Sequence, residues 1–234
     1  MDGFTGFNVH EVDEVLRSLK NSYDTLGDKM ATPWPALQQA MQDNWVGPDE
    51  QSYEERFAKD VCNLYIACKD VIQTLITNIA KLGQSWEEFQ KNNIIDGAET
   101  HERYGLISYG VKLDDNSISD VVKLKVDNGN YKENRGLVNG DSSYNIINNA
   151  IDTYVNDVKN EVNSLYQGIV SGKAFLGGGQ AQEIDGYITR IGVAVGALST
   201  SHDAIRAALQ QLLINYRTQA QNVAQAASGA GQEQ

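Results

Sequence analysis

Trp45-Val46-Gly47-Pro48-Asp49-Glu50 separates two long apolar series, and both series recur later in the chain. The series before the turn returns at an offset of 128 residues, and the series after it returns at an offset of 130. The first offset relates Leu16, Leu19, Tyr23, Leu26, Met30, Trp34, Leu37 and Met41 to Tyr144, Ile147, Ile151, Tyr154, Val158, Val162, Leu165 and Ile169; the second relates Phe57, Val61, Tyr65, Cys68, Leu75, Ile79, Leu82 and Trp86 to Tyr187, Ile191, Val195, Leu198, Ile205, Leu209, Leu212 and Tyr216. A pattern that keeps its register over such lengths indicates a duplicated helix-turn-helix unit.

The spacing of the apolar residues predicts long helices. From Ile184 to Tyr216 the apolar positions alternate steps of four and three, which is the heptad pattern of a helix from about residue 180 to 226. Its counterpart in the first unit is expected to begin at Pro48, because a proline suits the first helical position. Pro33 and Pro35 predict a kink or short break around residues 31–35.

The period changes between the two units. Apolar residues alternate with polar ones from about residue 103 to 126, and this spacing is typical of strands. The sequence therefore predicts a mainly α protein in which two tandem hairpins form an antiparallel four-helix bundle with a small β-hairpin or meander between them. The expected divisions are a first hairpin at 8–92, a β-rich insert at 93–140, a second hairpin at 141–226 and a disordered tail at 227–234.

The composition narrows the class of partner. The chain has 31 acidic and 19 basic residues, a formal net charge of -12 and a sequence pI near 4.6, which argues against nucleic acid or an anionic membrane surface. No apolar run has the length of a membrane-spanning helix. The start, Met1-Asp2-Gly3-Phe4-Thr5, lacks the features of a cleavable signal peptide, so any export is expected to use another route.

The Trp45-Val46-Gly47 turn between two long helices resembles the WxG family of helical-hairpin proteins, which type VII secretion systems of Gram-positive bacteria and mycobacteria export without a cleaved leader. The resemblance covers residues 8–92, and more loosely 141–226, where Phe175-Leu176-Gly177 keeps the aromatic residue and the glycine. It implies an ESAT-like four-helix bundle, a role as secreted substrate, escort or virulence factor, and a secretion ATPase or co-secreted protein as partner. Trp45, Gly47, Phe175 and Gly177 are the implied secretion and turn residues.

The family's frequent export signal, a tyrosine followed four residues later by an acidic residue, does not follow either second helix. The residue four positions after Tyr216 is Ala220, and the residue four positions after Trp86 is Gln90, so neither is acidic. The chain either carries its signal elsewhere or uses that of a partner. Because the two hairpins can pair within one chain, a monomer is expected.

Trp45 is interpreted first as an aromatic plug at the bundle end, with Gly47 permitting the tight turn. A tryptophan at a turn can also remain partly exposed, with its indole N–H available to a partner. Gly177-Gly178-Gly179 lacks the Lys-Ser/Thr of a phosphate-binding loop and is interpreted as a flexible turn.

Catalytic and metal sites are not expected. His202 lies on the heptad seam, where a lone histidine is usually a packed polar residue. No Cys/His spacing fits zinc, and Asp114, Asp115 and Asp120 lack the rest of a calcium loop. The acidic pairs Glu54-Glu55 and Glu87-Glu88 are interpreted as solvated helix faces.

Two functional hypotheses follow, and neither involves an enzyme, a cofactor or a small-molecule substrate. The first is a secreted interaction protein that is a type VII substrate or an escort. The second is an effector or adhesin-like module whose activity lies in the 93–140 insert, with the helices as an export scaffold. A cytoplasmic helical adaptor is a third alternative.

Overall fold

The computed structural model describes residues 9–92, 136–176 and 178–230. Over these residues the chain is mainly helical, with one small antiparallel sheet of two strands. The helices are α1 (Val9–Ala31), α2 (Trp34–Asn44), α3 (Pro48–Asn92), α4 (Asp141–Lys173) and α5 (Gly178–Ala230), and the strands are β1 (Trp45–Val46) and β2 (Gly136–Leu137). The mainly α class predicted from the apolar spacing is confirmed.

The predicted break near the prolines is confirmed. Only Thr32 and Pro33 separate α1 from α2. Pro35 lies in the first turn of α2, where its missing N–H removes no helical hydrogen bond. Trp34 and Met41 are 3% and 0% exposed, so the apolar series continues into α2 beyond the break.

Most residues of the repeated apolar series are buried. Before the turn, every member of the first copy is buried, and so is every member of the second copy except the half-buried Tyr144. After the turn, the members of the first copy from Phe57 to Ile79 are buried, and Leu82 is half-buried. In the second copy, Ile191, Leu198, Ile205 and Leu209 are buried, Tyr187, Val195 and Leu212 are half-buried, and Tyr216 is 39% exposed. The buried stripe therefore follows the duplicated pattern, but it is weaker in α5 than in α3, and the described side chains beyond Leu213 are exposed.

Residues 9–30, 62–92, 158–176 and 178–195 belong to one compact unit. Within it, a Cβ added at Gly172 would lie 2.7 Å from a side-chain carbon of Leu75, so the glycine allows α4 to approach α3 closely. Ion pairs link α1 to α4 and α5 to α3, namely Lys29 to Glu161 at 2.6 Å and Arg190 to Asp70 at 3.7 Å.

Residues 31–61, 136–157 and 196–230 belong to a second compact unit. Its centre is an aromatic cluster from three helices: the Trp34 ring lies 6.2 Å from the Phe57 ring in a stacked arrangement and 5.8 Å from the Tyr154 ring in an edge-on arrangement. Such pairs add to the free energy gained from burying the rings. On α5, the Ser201 hydroxyl donates to the Asp60 carboxylate of α3. Each unit takes residues from both predicted hairpins.

The described strands lie outside the alternating segment that the sequence predicts as strands. The alternating segment at 103–126 lies outside the described residues. β2, at the end of the predicted insert, pairs antiparallel with β1, with Trp45 opposite Leu137 and Val46 opposite Gly136. The described sheet therefore joins the insert to the turn of the first hairpin, a long-range pairing that local alternation could not reveal.

α5 continues to Ala230, past the point at which the sequence predicts a disordered tail at 227–234. Alanine has the highest helix propensity of any residue, so Ala226 and Ala227 extend the helix without an apolar pattern. Residues 231–234 lie outside the described part. None of the described helices combines the length and the apolar character needed to cross a bilayer.

Candidate interaction site at the Trp45-Val46-Gly47 turn

The WVG turn (Trp45-Val46-Gly47) joins the end of α2 to the start of α3. Trp45 has an extended backbone, with φ -134° and ψ 119°, and its N–H donates to the carbonyl oxygen of Met41. Gly47 has φ 146°, a conformation that residues with a Cβ rarely adopt. Pro48 then begins α3, and Asp49 lies in the first turn, near the positive end of the helix dipole. The turn therefore requires the glycine.

The Trp45 side chain is buried and is only 2% exposed. Its ring centroid lies 5.5 Å from that of Tyr53. The indole N–H is also buried and has no hydrogen-bond partner among the described residues. The interpretation of Trp45 as an aromatic plug fits this geometry. The alternative, a partly exposed indole, is wrong for this conformation because the ring packs inward.

Part of the later chain binds the backbone of the turn. In addition to the β1–β2 pairing, the Val138 N–H donates to the carbonyl oxygen of Asn44 at 3.0 Å. The Ser143 hydroxyl, which is fully buried, donates to the side-chain oxygen of Asn44 at 3.0 Å and accepts from the Asn139 N–H at 2.9 Å. The segment from 136 to 143 thus holds the end of α2 and the start of the turn.

Gly136 meets the side chain of Tyr216 from α5. A Cβ at this glycine would lie 1.6 Å from the phenolic oxygen, and its φ is 117°. Both the backbone angle and the covering ring therefore require glycine at 136. No sequence motif predicted this contact.

Two buried glutamates follow the turn on α3. Glu50 is 1% exposed and Glu54 is 0% exposed, and Gln38 of α2 donates its side-chain N–H to Glu54. The interpretation of Glu54 as part of a solvated face is wrong, whereas Glu55 is exposed. The sequence spacing could have predicted this burial. Glu54 lies three residues before Phe57, and Glu50 lies four residues before Glu54, so both carboxylates lie on the apolar stripe of α3.

A groove of about 440 Å³ opens beside the WVG turn. Its lining combines apolar residues with polar ones, namely Trp45, Pro48, Ala208 and Leu212 with Asp49, Ser52, Tyr53 and Arg56. The groove presents one carboxylate and one guanidinium, seven residues apart on α3. A surface of this kind suits a protein segment with both apolar and charged side chains.

The second predicted turn has a different geometry. α4 ends at Lys173, and the N–H groups of Phe175 and Leu176 donate to the carbonyl oxygens of Gly172 and Lys173 at 3.1 and 3.0 Å. Phe175 is half-buried, unlike Trp45. Gly177 lies outside the described residues, and α5 begins at Gly178. Trp45 at the first turn is therefore an inward-packed aromatic plug, whereas Phe175 at the second turn is not.

His202 is a packed polar residue, as its seam position predicts. It is 9% exposed, and its Nε2 lies 2.7 Å from one carboxylate oxygen of Asp152. The other carboxylate oxygen of Asp152 accepts a hydrogen bond from Arg206 at 3.2 Å. Within the described residues, no group of three or more histidine, cysteine or acidic side chains could hold a metal ion. His101 and the aspartates at 114, 115 and 120 lie outside those residues, as does the side chain of His10.

Lys69 is a buried cation that the sequence reasoning missed. It is 4% exposed, its Nζ lies 3.5 Å from the Tyr23 ring centroid, and it donates to the Tyr23 carbonyl oxygen. Burial lowers the pKa of Lys69 to about 8, although Asp24 and Asp28 act in the opposite direction. The residue lies within the core of its unit and not at the WVG turn.

Comparison of the chain with protein-family models, with curated proteins and with solved structures gives no match. The likeness to the WxG family therefore depends on the WVG turn and on the repeated apolar pattern.

Proposed function

We propose that the protein is a non-enzymatic interaction protein of the WxG type, exported by a type VII secretion system as a substrate or an escort. Its partners are the secretion ATPase or a co-secreted protein, which contact its helical surfaces. The observation that carries the proposal is the geometry of the WVG turn. A buried tryptophan, an extended valine and a glycine at φ 146° join two long helices, so the motif occupies the position that it has in the family.

The burial pattern supports a tandem arrangement. Apolar positions related by 128 residues are buried in both halves of the chain, with Tyr144 the half-buried exception. A single hairpin would leave much of such a stripe in water, whereas a second hairpin in the same chain can cover it. We infer that the duplication replaces the dimer partner of single-hairpin family members.

The contacts within each compact unit support the finer proposal that the hairpins close as an antiparallel four-helix bundle. In the second unit, Tyr154 of α4 contacts the rings of Trp34 and Phe57, and His202 of α5 bonds to Asp152 of α4. In the first unit, α1, α3, α4 and α5 are joined by ion pairs and close side-chain contacts. Helices from both hairpins thus meet in each unit.

The decisive experiment is secretion in the producing bacterium with and without its type VII membrane ATPase. We expect the protein in the culture supernatant of the parent strain and its retention in cells of the ATPase deletion. A cytoplasmic marker enzyme measured in the same supernatants controls for lysis. Equal release from both strains, after correction for the marker, would contradict the proposal.

A substrate and an escort can be separated by a second measurement. Affinity capture of the tagged full-length chain from the supernatant tests whether another secreted protein travels with it. For an escort, deletion of this chain removes the captured protein from the supernatant. For a substrate exported alone, no stoichiometric companion is recovered.

A further inference from the structure

A later segment of the same chain covers the WVG turn. The clasp, which we define as residues 136–143, pairs β2 with β1, so that Leu137 lies opposite Trp45 and Gly136 opposite Val46. The Val138 N–H and the Ser143 hydroxyl both donate to Asn44, the last residue of α2. One edge of β1, through which the turn could pair with another protein, is therefore occupied by β2.

We propose that the clasp is an autoinhibitory contact, which masks the WVG turn until it opens to admit the partner. This inference rests on the proposed function, because it assumes that the turn is a recognition element. It goes beyond that function by stating that the closed chain is a poorly recognised form, and that recognition depends on an opening equilibrium within the chain.

Within the clasp, residues 137–140 are weakly held compared with the neighbouring helices, whereas Ser143 is fully buried in the first turn of α4. Each strand has two residues, and isolated two-stranded pairing is marginal in water. Val138 is 55% exposed, so its side chain contributes little burial. Local openings of this kind occur where few apolar contacts and a few hydrogen bonds hold a segment. In contrast, the helical residues that flank the turn include the fully buried Met41 and Glu54.

The first test measures opening. Val138→Pro removes the N–H that donates to Asn44 and leaves the exposed side-chain position apolar, whereas Val138→Ala shortens the side chain and keeps the N–H. Hydrogen-deuterium exchange of the Val46 amide, in the strand that pairs with β2, is expected to be roughly two- to tenfold faster in the full-length Val138→Pro chain, the effect of one lost hydrogen bond. Val138→Ala is expected to exchange like the parent.

Ser143→Ala provides an independent opening variant, because it removes the side-chain bond to Asn44 without placing a proline in the chain. Melting temperatures measured by circular dichroism establish that each variant keeps its helices. If exchange of the Val46 amide is unchanged in both Val138→Pro and Ser143→Ala, the clasp does not hold the turn and the inference is overturned.

The second test measures recognition. The initial rate of ATPase-dependent export is compared for the parent, Val138→Pro and Val138→Ala chains in the producing bacterium. Masking predicts that Val138→Pro is exported faster by a factor that follows its faster exchange. If Val138→Pro shows faster exchange but unchanged or slower export, the masking role is overturned. The proposed function still stands in that case, provided that export of the parent depends on the ATPase. Export that does not depend on the ATPase in any of the three would instead remove the proposed function and, with it, the masking role.

Discussion

The ammonium group of Lys69 lies 3.5 Å from the centre of the Tyr23 ring and donates a hydrogen bond to the carbonyl oxygen of the same residue. Both residues belong to one compact unit, and both are buried. The ring face and the carbonyl oxygen compensate a cation that has left water, but only in part. Burial therefore lowers the pKa of Lys69 from 10.5 to about 8.

This lowered pKa predicts a pH dependence of stability. Between pH 8 and 10.5 the unfolded chain holds a proton on Lys69 that the folded chain has largely lost, so the contribution of Lys69 to stability should rise with pH in this window. Burial also raises the pKa of the Cys68 thiol to about 12, which lowers stability above pH 9 in the parent and in a Lys69 variant alike, so the test is the difference between the two proteins. Lys69→Met removes the titration and should be more stable than the parent at pH 7, with the difference shrinking toward pH 9.5. Urea unfolding at pH 7, 8.5 and 9.5 measures this.

The exposed Lys59 of α3 provides a matched control for that experiment, because Lys59→Met changes the same functional group outside the core. The upper limit of pH 9.5 avoids Tyr65, whose pKa is raised by burial and by Asp28 and whose ionisation would add a destabilising effect at higher pH. A constant difference between Lys69→Met and the parent across the three pH values would show that Lys69 remains charged in the folded protein.

Two glycine substitutions should change stability in opposite directions. Gly47→Ala places a Cβ at φ 146° and is expected to cost about 1 to 3 kcal/mol. Gly192→Ala adds a Cβ to an exposed helical position with nothing within 4 Å, and it should stabilise by about 0.5 to 1 kcal/mol. Chemical denaturation measures both. Destabilisation by Gly192→Ala or tolerance of Gly47→Ala would contradict the assigned backbone geometry.

The core leucines of the repeated pattern should be sensitive to truncation. Leu64, Leu198 and Leu209 are each 0% exposed. Replacement of any one by alanine is expected to cost about 2 to 5 kcal/mol, the range for buried leucines. Val223→Ala on the exposed end of α5, where the side chain is 60% exposed, should change stability by less than about 0.5 kcal/mol. Equally small changes in the free energy of unfolding at all four positions would contradict the burial of the three leucines.

The apolar spacing identified the helices because periodicity is a local property of the chain. It also predicted the break before Trp34 and the start of α3 at Pro48, since proline restricts the backbone wherever it occurs. The pairing of Val46 with Gly136 could not be predicted, because no local pattern specifies which segments meet. Burial of Glu54 was missed because residue type was given more weight than its position on the stripe.

The same reasoning explains which parts of the candidate site could be predicted from the sequence. The need for a glycine at 47 follows from its place between two helices, and the inward packing of Trp45 was one of two interpretations of a turn tryptophan. The clasp was not predicted, because it depends on contacts between Asn44 and Ser143, which are 99 positions apart. Lys69 was missed although it lies between apolar residues at helical spacing, Tyr65 and Ile72.

The oligomeric state follows from the proposed pairing of the two hairpins. If they close on each other, light scattering at micromolar concentration should give a mass near 25.7 kDa. An obligate dimer would mean that the hairpins pair between chains. Val193→Asp, at an apolar side chain that is 69% exposed, should leave the mass unchanged if this surface is not an interface.

Export should depend on the first turn more than on the second. Trp45 is 2% exposed, so Trp45→Ala is expected to destabilise by about 3 to 5 kcal/mol as well as to reduce export. The indole N–H is buried in the closed chain, so it can meet the secretion machinery only after the clasp opens. Trp45→Phe keeps an aromatic plug but removes this N–H, and on that basis it should reduce export by more than its smaller change in melting temperature explains. Phe175→Ala, at a half-buried position, should act only through packing. Intracellular and secreted amounts measured with melting temperatures separate these effects. Wild-type export of a folded Trp45→Phe would show that the indole is not read by the secretion machinery, and a loss of export confined to Phe175→Ala would assign recognition to the second turn.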